Sequence, residues 1–119
     1  VRGDGSPLRQ FIYSIDLARL IMWTLKDYDK KENLILSVGE KEEVSIGEVA
    51  KHIADAMGYQ GQIGFDSTYA NGQHKKTADN RKLMQELEET GVLFNFTDIE
   101  FGILQSVDWF VNNYESCRK

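Results

Sequence analysis

The apolar positions of this chain change period several times, and each change predicts an element. From Ile15 onward, Leu17, Ala18, Leu20, Ile21, Met22, Trp23 and Leu25 cover most of a helical circumference, which predicts a largely buried helix. Ser14 stands where an N-cap belongs. Just before it, Gln10 to Tyr13 is short and rich in aromatic and β-branched residues, a strand signature. Leu34 to Val38 and Gln62 to Asp66 read as two further short strands. Between them Ile46, Val49, Ala50, Ile53 and Met57 repeat at helical spacing. Leu83, Met84 and Leu87 mark a short third helix. Ile103, Leu104, Val107, Phe110, Val111 and Tyr114 form the stripe of a fourth.

Polar residues punctuate this pattern. Ser45 followed by Glu48 spells a capping box, in which serine and glutamate satisfy two helix N–H groups that have no partner within the helix. Thr97 and Glu100 spell a second one. Asp79 or Asn80 is placed to cap the third helix, and Gly58 to terminate the second. Gly3 to Pro7 is dense in turn formers, Lys26 to Asn33 is a charged connection, and Ser67 to Thr77 is a polar loop. Short strands alternating with about four helices predict a small α/β domain spanning residues 1–119.

Composition narrows the function. A net charge of −5 gives no overall attraction for nucleic acid or an anionic membrane. No apolar run reaches the roughly 18 residues needed to cross a bilayer. One cysteine, Cys117, excludes an internal disulfide and fits a reducing cytoplasm. The chain opens on Val1-Arg2-Gly3-Asp4-Gly5 without an initiator methionine, which reads as a cut inside a longer protein. Arg2-Gly3-Asp4 also spells an adhesion tripeptide, but the cysteine usage argues against that role. His52, His74 and Cys117 lack metal-ligand spacing. Asp16 reads as a first-turn carboxylate favoured by the helix dipole, and Phe11, Trp23, Phe101, Trp109 and Phe110 as packing residues. There is no nucleophile motif, dinucleotide fingerprint or phosphate-binding P-loop.

Two basic segments remain. Arg9 sits at the mouth of the apolar run, where a guanidinium is either simply solvated or presents a planar fork to a phosphate. The stretch Asn71 to Lys82, "NGQHKKTADNRK", gathers His74, Lys75, Lys76, Arg81 and Lys82 in an acidic chain, with Asn71-Gly72 forming a tight turn. It is either a solvated loop or a second anion clamp. Together the two segments suggest a phosphorylated ligand held between distant parts of the sequence.

The runs "LRQFIYSIDLARL", "LILSVGEKEEVSIGEVAKHIADAMGY" and "FDSTYANGQHKKTADNRKL" resemble the C-terminal part of extended short-chain dehydrogenases/reductases acting on nucleotide sugars. The Asn-Gly-Gln-x-Lys-Lys-Thr stretch and the ending "DWFVNNYESCRK" resemble the fucose synthase branch of that family. The resemblance implies a small C-terminal substrate-binding domain whose Rossmann domain is absent from this chain. That missing half would bind NADP(H) and carry the catalytic Ser/Tyr/Lys and Cys/His groups. The parent would be a cytoplasmic homodimer that epimerises GDP-4-keto-6-deoxy-D-mannose at two carbons and reduces its ketone. The piece alone would be inactive and monomeric. Another nucleotide-sugar epimerase or reductase, or a non-catalytic interaction module, is the alternative.

The same resemblance assigns candidate GDP-sugar contacts residue by residue. Arg9 matches the arginine that binds the nucleotide sugar. Lys76 matches a lysine near its phosphates or sugar. Asn71 stands where the family often has Asp, and keeps an acceptor oxygen without the charge. Arg2 stands where the family often has Trp.

Overall fold

The computed structural model describes residues 1–119. In chain order it contains β1 (Leu8–Gln10), α1 (Ser14–Asp27), a single 3-10 turn (Glu40–Glu42), β2 (Glu43–Ser45), α2 (Ile46–Ala56), α3 (Arg81–Glu89) and α4 (Ile99–Asn112). β1 and β2 form a two-stranded antiparallel sheet that pairs Leu8 with Ser45, Arg9 with Val44 and Gln10 with Glu43. The expected α/β class and four helices are present.

Helix starts follow local chemistry where a side chain is free to cap. Ser45 Oγ accepts from Glu48 N at 3.1 Å, while Glu48 Oε2 accepts from Ser45 N at 2.8 Å. Both halves of the expected capping box are therefore made. Ser45→Ala is expected to lower stability by about 1 kcal/mol, read as an earlier urea midpoint with an unchanged slope. Gly58 ends the helix region with φ 66°, a conformation that suits glycine.

Other expected caps are not formed. α1 begins after Tyr13 without a side-chain cap, and Ser14 is its first residue. Asn80 precedes α3 but turns its amide away to donate to Ser37 O at 3.0 Å. α4 is capped by Asp98, which accepts from Glu100 N at 3.0 Å. Thr97 is diverted: its N–H and hydroxyl both donate to Asp16, at 2.6 and 3.0 Å.

Two expected strands pair differently from a sheet ladder. Leu34 to Val38 is not a strand, and side chains take its carbonyls: Asn80 Nδ2 bonds Ser37 O and Gln10 Nε2 bonds Val38 O. Gln62 to Asp66 contributes one parallel bridge, between Asp66 and Arg2. The first strand lies at Leu8–Gln10 rather than Gln10–Tyr13, because its register is set by β2, an element the apolar pattern does not announce.

The core is Leu20, Trp23, Leu83 and Leu87, flanked by Ile12, Tyr28, Leu34, Leu36, Val92, Phe94 and Phe96. Asp16, Leu20 and Trp23 recur at i, i+4 and i+7, so one stripe of α1 is buried. The rest of that helix is not. Met22 is 65% and Leu25 78% exposed, and Ile15, Phe101, Leu104 and Trp109 are exposed as well. The expectations of a largely buried α1, and of Phe11, Phe101 and Trp109 as packing residues, are corrected here. The radius of gyration is 16.8 Å, against about 13.5 Å for a compact domain of this length. The accessible surface is 8807 Å², against roughly 6,600 Å² for a compact protein of this size.

Candidate functional site

Three segments meet at β1. On one side lies β2. On the other, Leu8 forms an isolated parallel bridge with Lys75, and Leu8 N donates to His74 O at 2.7 Å. β1 is therefore the middle of a short ribbon, with residues 74–78 running alongside it.

Strand alternation then sorts the side chains. Leu8 and Gln10 share one face with their partners Ser45, Glu43 and Lys75. Contacts on that face agree with the register. Lys75 Nζ lies 3.5 Å from Glu43 Oε2 and also pairs with Glu40, and the Thr77 hydroxyl donates to Glu43. Arg9, its partner Val44, and Lys76 fall on the opposite face. Arg9 Nη1 donates to Leu8 O at 2.7 Å.

Charge pairing separates the basic residues of this region. Lys75 is held by Glu40, which raises its pKa and lowers that of Glu40. Arg81 is held by Asp79 at 2.6 Å and Lys82 by Glu32 at 2.7 Å. In each pair the hydrogen bond across the ion pair is the main cause of the shift. Arg9 and Lys76 have no carboxylate within 4.0 Å. Cations on neighbouring strands of one face repel, at a cost of up to about 1 kcal/mol. An anion between them would convert that cost into attraction.

Asn71 and Arg2 form a separate group. Asn71 Oδ1 accepts from Asp4 N at 2.9 Å and so holds the N-terminal loop. The same oxygen would lie 2.4 Å from a β-carbon at Gly3, whose φ is 85°. The close approach and the left-handed backbone both require glycine there. Arg2 pairs through its backbone with Asp66 and stacks its guanidinium 4.7 Å from the Tyr69 ring centroid. The loop between Arg2 and Arg9 is fixed to α2 by Gly47 N to Gly5 O, 2.9 Å, and Ile46 N to Pro7 O, 3.0 Å.

None of the four candidates lines a principal cavity. Arg9 is half-buried and Lys76 is exposed. Val44 and Phe11, neighbours of Arg9, do line a cavity of about 530 Å³ together with Glu42. One oxygen of Glu42, Oε2, is buried there without a hydrogen-bond partner. No group of His, Cys, Asp and Glu is arranged to hold a metal ion. No helix is long and apolar enough to cross a membrane.

Residues that the sequence left unmarked complete the region. Gln10 bonds three backbone groups, Glu43 anchors Lys75 and Thr77, and Tyr69 supports Arg2. The sequence signals for Gln10 are its place at the start of the expected Gln10–Tyr13 strand and beside Arg9 in a quoted run, neither of which points to a clamp.

This shape recurs in a solved structure. A GDP-L-fucose synthetase from Naegleria fowleri superimposes on the whole chain with a TM-score of 0.92 and 44% identity, over 35% of its own length. The same protein has been solved with NADP bound. By fold, the chain matches a C-terminal part of an extended short-chain dehydrogenase/reductase. GDP-L-fucose synthase from Dictyostelium discoideum is 48% identical over all 119 residues, and a probable GDP-L-fucose synthase from Drosophila melanogaster is 45% identical. Within that fold class, the chain is similar over its whole length to proteins named GDP-L-fucose synthase. It spans 36% of the length of each of those two relatives. No family model matches the chain.

Proposed function

We propose that residues 1–119 form the substrate-gripping domain of an NADP-dependent GDP-L-fucose synthase. In this reading Arg9 and Lys76 close on the diphosphate of a GDP-sugar, and Arg2 and Asn71 border the rest of the nucleotide. The observation that carries the reading is the sorting of cations. Lys75, Arg81 and Lys82 are neutralised by carboxylates, while Arg9 and Lys76 have no carboxylate within 4.0 Å. The names of the matching proteins supply the ligand, a GDP-sugar, and the NADP-bound neighbour supports the cofactor.

The residues here bind and orient. NADP(H), held by another part of the polypeptide, would supply hydride for reduction of the 4-ketone after epimerisation. The parent enzyme would act as a homodimer in the cytoplasm, and the 119-residue chain alone would be an inactive monomer. The large accessible surface and the exposed Met22, Leu25, Phe101 and Trp109 support a further part that covers them.

Titration of the ¹⁵N-labelled chain with GDP checks the site. Amide shifts are expected around Arg9 and Lys76, weakening as salt is raised because Lys76 is exposed and Arg9 only half-buried. Shifts confined to Ile99 to Tyr114 would overturn the assignment. Equal competition by dTDP would point to another nucleotide-sugar enzyme of the same fold.

A further inference from the structure

Lys76 lies on a segment with almost no regular pairing of its own. We infer that Gln10 is the positioning residue that holds Lys76 beside Arg9; the inference rests on the diphosphate reading above. Gln10 Oε1 accepts from Ala78 N at 2.7 Å. Its Nε2 donates to Ala78 O at 3.0 Å and to Val38 O at 2.8 Å. The carboxamide has two donor hydrogens and one acceptor oxygen, and all of these groups are engaged.

The placement explains why one side chain matters. Residues 74–78 are fastened to β1 at two points, and Lys75 and Thr77 on either side of Lys76 are also held by Glu40 and Glu43. One is the main-chain bond from Leu8 N to His74 O, and the other is the Gln10 clamp on Ala78. Lys76 is midway between them. Neither Lys76 nor its ammonium has a side-chain bond or ion pair of its own, so its position is inherited from these anchors. The third bond, to Val38 O, ties the clamp to a residue that is 3% exposed. Gln10 thus transmits the rigidity of the buried Val38 to an otherwise exposed loop. It points to the opposite face from Arg9 and Lys76, so it acts on the ligand only through Lys76.

The test uses the full-length enzyme with GDP as the probe, in Gln10→Leu and in the near-isosteric Gln10→Glu, which keeps the acceptor and loses both donors. The Kd for GDP is expected to rise about 3–10-fold in Gln10→Leu and less in Gln10→Glu. Lys76→Ala should then add less than about 2-fold in the Gln10→Leu background, whereas Arg9→Ala should keep its full effect. A general loss of structure would not spare the Arg9 contribution in this way. Exchange of the Ala78 amide should quicken, with α1 and α4 unchanged. Wild-type GDP affinity in Gln10→Leu, or an undiminished Lys76→Ala effect, would overturn the inference and leave the diphosphate reading standing. If the unsubstituted enzyme ignored GDP, the reading itself would fall and Gln10's role at a nucleotide site with it.

Discussion

Arg9→Ala is expected to lower kcat/KM for the GDP-sugar by about 10–100-fold in the full-length enzyme. A hydrogen bond to a charged group contributes about 1.5–3 kcal/mol, and each 1.36 kcal/mol is tenfold in rate. No internal carboxylate has to release the guanidinium first, so the contact is available to a ligand. Its one intramolecular bond, to the adjacent Leu8 carbonyl, leaves other donors of the fork free. Arg9→Lys should recover only part of the loss, since an ammonium presents no planar pair of donors. Because Arg9 makes no ion pair, the thermal midpoint should barely move. Steady-state kinetics with the GDP-sugar provide the check, and an unaltered kcat/KM would remove Arg9 from the site.

The second large effect concerns stability. Asp16→Ala is expected to cost about 2–4 kcal/mol, because it strands two Thr97 groups at a site where the carboxylate is 1% exposed. Each unpaired buried donor costs about 1–3 kcal/mol. The 3.9 Å contact with Arg19, an exposed side chain, adds little. Asp16→Asn retains an acceptor oxygen and should lose roughly half as much. Urea unfolding measures both. A loss below about 0.5 kcal/mol in Asp16→Ala would mean that water replaces the carboxylate at Thr97. Since Thr97 directly precedes the Asp98 cap of α4, hydrogen exchange in the first turn of that helix should quicken as well.

These two residues differ in how far the sequence revealed them. Arg9 was visible because it stands beside an apolar run within a stretch that resembles a known family. Asp16 was visible only as a first-turn carboxylate. Its partner lies 81 residues away, and Thr97 read equally well as a cap. A local capping rule and a long-range hydrogen bond competed for the same threonine, and the buried bond prevailed. Asp98 then took the cap. The Ser45–Glu48 box had no such competitor and formed as read.

The sequence by itself determined the four helices, the capping box of α2 and the α/β class, because each depends on side chains a few residues apart. Tertiary structure decided the strand register, which of five clustered basic groups are neutralised, and which helix faces stay bare. The register and the pairing of Lys75 and Lys82 depend on which groups meet across gaps of more than 30 residues, whereas Arg81 is held by Asp79 two residues away. Register in particular has a period of two. One residue of slip would have put Arg9 among the carboxylates that now hold Lys75.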